Sequence, residues 1–179
     1  GNLTHPALHT YDTIDLLDNP DYTAENAAIT AECALRTAGA YMPVAFMGCP
    51  TVVIGWGRIG KCLAQKLKAL GAQVTVAARK PSDRAMAKAL GYSAVSIEEL
   101  ADCMFRFRVI FNTVPAPVVP EQWLQSCSGD TLKIELASVR GIAGKEVIPA
   151  LGLPGKMAPE SSGALIAKTT IAILRRKEG

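Results

Sequence analysis

Thr51-Val52-Val53-Ile54-Gly55-Trp56-Gly57-Arg58-Ile59-Gly60 joins a short β-branched run to three glycines spaced G-x-G-x-x-G. The stretch that follows, Lys61-Cys62-Leu63-Ala64-Gln65-Lys66-Leu67-Lys68-Ala69-Leu70, has the periodicity of an amphipathic helix. The glycine spacing alone is weak evidence; held between a strand and a helix it reads as a dinucleotide-binding βαβ unit. Each glycine has its own physical task. Gly55 permits the tight turn out of the strand, Gly57 leaves bare backbone for a pyrophosphate, and Gly60 lets the helix approach the sheet. The first N–H groups of the helix lack intrahelical acceptors, so Gly57, Arg58 and Ile59 present backbone donors to an anion, with Trp56 completing the loop.

Outward from this loop, strand-like and helix-like segments alternate, the pattern of a parallel sheet covered on both faces. Strands are predicted near 51–55, 73–78, 93–96, 108–113, 131–136 and 147–151, and helices near 58–70, 82–90, 97–103 and 120–127. Ser96-Ile97-Glu98-Glu99 is a capping-box sequence opening the third of these helices. The expected fold class is α/β, a doubly wound parallel six-stranded sheet of Rossmann type with order 3-2-1-4-5-6.

Two segments flank that unit. Residues 1–23 read as loop, because Asp15, Asp18, Asn19, Pro20 and Asp21 crowd a stretch without periodicity. Ala24 to Ala40 reads as a helix with Thr30 as an internal cap, and Gly39 to Pro50 as a linker. A second small-residue helix runs from Ser161 to about Arg175. Both helices carry many small apolar residues, among them Ala27, Ala31, Ala34, Ala164, Ala167 and Ala172. Helices of that kind pack closely and bury widely, so they are expected to pair at a hinge to a second domain or against another protomer, or else to cover the one core. The expected division is 1–50 as the tail of a missing N-terminal domain with hinge helix and linker, 51–160 as the nucleotide domain, and 161–179 as the C-terminal hinge helix.

Ala77-Ala78-Arg79 ends the second strand about 20 residues past the glycine loop, where an NAD-binding fold places an acidic residue on the ribose 2′-hydroxyl. The position is basic here, and Lys80, Ser82 and Arg84 follow within one helical turn. A 2′-phosphate would meet charge-assisted donors, so the expected cofactor is NADP. In open parallel sheets, ligands lie beyond the carboxyl ends of the strands. That rule adds Ala78, Thr113, Val114, Pro115 and Ser138 as expected cofactor contacts, although prolines and small residues also punctuate loops with no ligand near.

The proton chemistry is thinly signalled. His5 and His9 are the only histidines and lie in the N-terminal tail. Lys156 and Glu32 are the side chains singled out for catalysis, with Glu160 explained equally well by a helix start. Cys33, Cys49, Cys62, Cys103 and Cys127 show no paired or metal-ligand spacing, which predicts reduced thiols and no metal. The chain has 179 residues, a formal charge of +3 and only 6% aromatics, so no nucleic-acid surface is expected. No apolar run approaches the ~18 residues of a membrane span and no signal peptide is visible, so the expected location is cytoplasmic.

The residues resemble the dipicolinate synthase family, in its A-type subunit. The similarity rests on Asn26-Ala27 with Thr30-Ala31-Glu32, Val53 to Gly60, Val74-Thr75-Val76-Ala77-Ala78-Arg79-Lys80, Asn112-Thr113-Val114-Pro115-Ala116, Leu136-Ala137-Ser138 and Leu153-Pro154-Gly155-Lys156-Met157-Ala158-Pro159. It spans most of the chain from residue 24 to 163. The chain departs from the family pattern at Ile29, at Val139-Arg140-Gly141 and at Glu160-Ser161-Ser162. The resemblance implies an NADP-dependent oxidation of a dihydrodipicolinate-like intermediate to the aromatic dicarboxylate. It also implies a flavoprotein-like B-type subunit as partner, a role in sporulation and a preceding N-terminal domain; a homo-oligomer is expected from the apolar helices. Two other readings stay open: a dinucleotide-sensing module without turnover, and a 2-hydroxy-acid dehydrogenase relative, whose usual acid–base histidine has no counterpart after residue 9.

Overall fold

The structure, a computed structural model, describes residues 5–8, 10, 11 and 13–178, with side chains described through Arg176; His9 lies outside the described residues. Strands β1 (Pro50–Ile54), β2 (Gln73–Ala77), β3 (Ser93–Val95), β4 (Val109–Asn112), β5 (Leu132–Glu135) and β6 (Val147–Pro149) form one six-stranded sheet. Every pairing is parallel and the order is β3-β2-β1-β4-β5-β6. This is the doubly wound arrangement predicted from the alternation of segments.

Side chains alternate across each strand, and the two faces feed two separate cores. Val53 is in register with Val76 of β2 and Phe111 of β4, and these three pack with Ile134 into the larger core. Val52, Ile54, Ala77 and Ile110 point the other way. Helix α2 (Arg58–Ala69) closes the first face with Leu63, Ala64 and Leu67, all fully buried. A 3-10 helix, Glu98–Arg106, covers the second with Leu100 and Met104. Its capping box forms as the sequence predicts: the Glu99 N–H donates to Ser96 Oγ at 3.1 Å and the Ser96 N–H to Glu99 Oε2 at 2.7 Å.

Helix α1 (Pro20–Tyr41) begins earlier than the predicted Ala24. The polar cluster expected to be loop is its cap: Asn19 Oδ1 accepts the Tyr22 N–H at 2.9 Å and Pro20 sits in the first turn, where a missing N–H costs nothing. Thr30 is no cap. Its hydroxyl donates to the Asn26 carbonyl at 2.7 Å, four residues back within a continuous helix. Ala31, Ala34 and Ala38, fully buried, bring α1 close to α2 and into the core that contains Val53 and Leu63.

The remaining helices are α3 (Pro81–Ala89), α4 (Glu121–Leu124), α5 (Leu153–Met157) and α6 (Pro159–Glu178). Helix α4 is shorter than the predicted 120–127, and α5 has no predicted counterpart because its Leu-Pro-Gly start has the composition of a turn. Helix α6 begins at Pro159 rather than Ser161 and lies on α1, burying Leu165 and Thr169. Lys168 Nζ meets Glu25 Oε1 across that contact at 2.8 Å. The opposite side of α6 leaves Ile166, Ile171 and Leu174 exposed. Among the described residues, no helix is long and apolar enough to cross a membrane.

Candidate functional site

The carboxyl ends of β1, β2, β4 and β5 open onto one cleft of about 1220 Å3. That exceeds the roughly 300–1000 Å3 typical of pockets for drug-sized ligands and suits a longer molecule. Gly55, Trp56 and Gly57 line its centre; Ala78, Arg79, Lys80, Asp83, Ile97 and Glu98 line one end. The other end is walled by the 114–121 segment, Trp123 and the 140–144 segment.

At the centre, the glycines divide as their spacing predicts. Gly55 has φ +103°, a conformation that L side chains rarely adopt, and a Cβ there would strike the Thr113 hydroxyl. A Cβ on Gly60 would collide with the Gly55 carbonyl, so α2 approaches the strand only because none is present. Gly57 is different: its φ is −78° and nothing lies within 4 Å of where its Cβ would stand. As the α2 N-cap it offers no side-chain acceptor to the first turn, so no capping side chain occupies those N–H groups. An unshielded helix start beside bare backbone suits a pyrophosphate. Trp56 turns its ring away, packing edge-on against Tyr92 with centroids 5.7 Å apart. Its Nε1 is the one buried side-chain polar atom without a partner among the described residues.

At the β2 end, Arg79 and Lys80 are exposed and line the cleft. Arg84, expected beside them, is committed elsewhere: its Nη1 donates to the carbonyls of Ala78 at 2.9 Å and Arg79 at 2.7 Å. It braces the loop instead of projecting a free fork. Ser82 is exposed in the first turn of α3 but is not among the lining residues. Two carboxylates not singled out from the sequence for ligand contact, Asp83 and Glu98, share this end. The Glu98 backbone N–H and the Ser96 side chain hold the Glu98 carboxyl below the ordinary carboxylate range, so it stays anionic at neutral pH.

The β4–β5 end depends on a buried polar network. Glu135, only 4% exposed, accepts Asn112 Nδ2 at 2.7 Å and the Ala137 N–H at 3.1 Å on Oε1. Its Oε2 accepts the N–H groups of Gly141 at 2.7 Å and Ile142 at 3.0 Å. Asn112, fully buried, takes the Val114 N–H on Oδ1 at 3.0 Å and donates to the Val114 carbonyl at 2.9 Å. One carboxylate and one amide thereby tie both loops of the wall together. A charged residue inside the apolar run Ile134-Glu135-Leu136 is the sequence signal that would have marked it, since glutamate is almost never buried unless paired or bonded.

Val114 and Pro115, expected as cofactor contacts, line this end of the cleft. Thr113 does not reach the cleft with its hydroxyl, which donates to the Ile54 carbonyl at 2.9 Å, and Ser138 is exposed outside it. Arg58, Ile59 and Gly60 lie behind the lining residues at the start of α2. Arg140 lines the wall with its guanidinium oriented by the carbonyls of Ile142 and Gly144. Lys156 and Glu32 are not lining residues; Lys156 is exposed on α5, and Glu32 is exposed on α1 with its carboxylate 3.7 Å from Lys66 Nζ. His5 is exposed just before the N-terminal 3-10 turn, Pro6–Leu8, and is not a lining residue of the cleft. Burial raises the Cys33, Cys103 and Cys127 thiols above their ordinary range, which makes them poorer nucleophiles.

Residues 23–118, from inside α1 to the loop after β4, match the D-isomer specific 2-hydroxyacid dehydrogenase NAD binding domain. The A-type subunit of dipicolinate synthase from Bacillus subtilis (strain 168) is 30% identical over 169 residues, covering 90% of this chain and 57% of that protein. The crystal structure of the corresponding dipicolinate synthase protein from Bacillus halodurans superimposes with a TM-score of 0.83 at 31% identity, over 90% of this chain and 58% of that one. The crystal structure of its Bacillus subtilis counterpart gives 0.86 at 27% identity, over 91% and 57%. The chain therefore spans little more than half the length of these relatives.

Proposed function

The chain belongs to the D-isomer specific 2-hydroxyacid dehydrogenase NAD-binding family, and from that premise we propose that it is the NADP-binding portion of a dipicolinate synthase-like oxidoreductase. Its reaction is the oxidation of a dihydrodipicolinate-like intermediate to dipicolinate. The observation that carries the cofactor reading is Gly57, whose bare backbone opens the start of α2 onto the cleft while Gly55 and Gly60 are sterically obligatory. The N–H groups of Gly57, Arg58 and Ile59 hold the pyrophosphate. Arg79 and Lys80 hold the 2′-phosphate, with Ser82 at the edge of the α3 start. Arg84 positions Arg79 through the two carbonyls it bonds.

When bound, the nicotinamide supplies the hydride acceptor, which is chemistry the side chains do not provide. Val114 and Pro115 line this end and would stand beside the ring, and the Arg140 N–H groups not given to the Ile142 and Gly144 carbonyls are suited to a substrate carboxylate. Aromatisation of a dihydropyridine ring also releases one proton. Among the described residues Glu121 is the only carboxylate lining this end, and we assign its side-chain oxygens as the acceptor, because Arg140 stays protonated.

The length of the relatives and the α1–α6 pair support a second domain hinged on those helices, with the substrate between the two. A flavoprotein-like B-type partner, a homo-oligomer and a cytoplasmic, sporulation-linked role complete the proposal. Calorimetric titration with NADP+ and NAD+ tests the cofactor choice, and tighter NAD+ binding overturns it. Turnover is tested by giving the full-length protein its B-type partner, NADP+ and a dihydrodipicolinate precursor, then following reduced nicotinamide absorbance. Binding without turnover overturns the enzymatic reading in favour of a sensing module.

A further inference from the structure

We propose that the buried Glu135 carboxylate biases the cleft toward the oxidised form of the dinucleotide, favouring NADP+ over NADPH. The inference rests on the dinucleotide reading above and adds to it a thermodynamic direction.

Each Glu135 oxygen receives two N–H donors, an arrangement built for the acceptor-only carboxylate, because an acid O–H would be set against one of those donors. Among the described residues no cation stands within ion-pair distance of it. Lys133, on the same strand, faces Glu146 at 4.0 Å, and the Arg140 guanidinium is turned to the Ile142 and Gly144 carbonyls. The charge is thus solvated by dipoles and not cancelled by a counter-ion.

Its position gives that charge a target. Gly141 and Ile142, which donate to Glu135, line the cleft, and so does Val114, which is bonded to Asn112. The carboxylate is therefore one hydrogen bond behind the wall at the end away from Arg79. With the pyrophosphate at α2 and the 2′-phosphate at Arg79, that end receives the nicotinamide. The ring bears a positive charge only when oxidised, so a fixed anion behind it discriminates between the two redox states. Arg140 opposes this, but it is exposed and screened by solvent, whereas Glu135 is buried and keeps more of its interaction.

Calorimetry or nicotinamide fluorescence on the chain and on Glu135→Gln, with NADP+ and NADPH separately, tests this. The expected result is a selective rise in the Kd for NADP+, so that the ratio Kd(NADPH)/Kd(NADP+) falls about fivefold. A parallel rise in both constants means that Glu135 only holds the loops, and overturns the proposal. If Glu135→Gln does not fold, the unsubstituted chain decides: tighter NADP+ than NADPH supports the inference and the reverse order overturns it. Failure to bind either nucleotide refutes the cleft reading itself, an outcome distinct from equal effects on both forms.

Discussion

The two ends of the cleft are built by different means. At the Arg79 end the cations are exposed, the backbone is local, and the geometry follows from three glycines and one helix start within residues 55–60. At the Arg140 end the wall comes from two loops more than a strand apart, joined by a buried Glu135–Asn112 contact between residues 23 positions apart. Binding of phosphates needs donors and open space, which a short motif supplies. Placement of a reactive ring needs rigid walls, which require long-range bonds.

The largest way to break this comparison is at the network. Glu135→Leu strips the acceptor from four donors, three of them backbone N–H groups, and is expected to lower unfolding stability by about 3 kcal/mol or more, measured by chemical denaturation. A loss below about 1 kcal/mol would mean the wall is held by packing alone. At the other end the matching test separates fold from ligand. Gly60→Ala, forced against the Gly55 carbonyl, should cost about 2–3 kcal/mol. Gly57→Ala, with open space around it, should leave thermal stability nearly unchanged while weakening dinucleotide binding by about tenfold. An intact Gly57→Ala protein with unaltered affinity would remove the pyrophosphate from that backbone.

Arg79→Asp sharpens the picture further. Replacing a charge-assisted donor by a carboxylate should reverse the proposed NADP+ preference by about tenfold in the ratio of the two Kd values, with little change in stability. Similar ratios before and after would transfer the selection to Lys80. The smallest effect is expected from Arg84→Ala. Losing the two carbonyl bonds loosens the loop and should raise the NADP+ Kd by about two- to fivefold, leaving NAD+ less affected. An equal effect on both cofactors would show that Arg84 serves the fold and not the selection.

Much of the β2 half is legible in sequence because its determinants are contiguous. Strand, glycines, helix and basic strand end occur in order, so periodicity and spacing reveal them. The departures are equally local in origin. Asn19-Pro20 has the composition of a turn and is a helix cap; Thr30 has the chemistry of a cap and bonds back within its helix; Leu153-Pro154-Gly155 has the composition of a turn and starts α5. In each case the residue types permit both conformations, and burial against α2, β5 or α6 selects one.

The site shows the same limit at the level of side chains. Arg84, Thr113 and Ser138 occupy positions in the chain consistent with ligand contact, yet Arg84 and Thr113 spend their donors on carbonyls and Ser138 faces outward. In sequence Glu135 is a strand-end carboxylate without a role, and Asp83, Glu98, Glu121 and Arg140 gain their places on the cleft only from the way helix starts and a loop meet in the fold.

By itself, the amino-acid sequence determined the parallel doubly wound order, the obligatory glycines and the basic strand end, because those depend on short-range sterics and on the period of apolar residues. Tertiary structure alone decided which donors remain free and where a buried anion stands. Both follow from which loops meet in space: a hydrogen bond between residues far apart in sequence leaves no periodic trace along the chain.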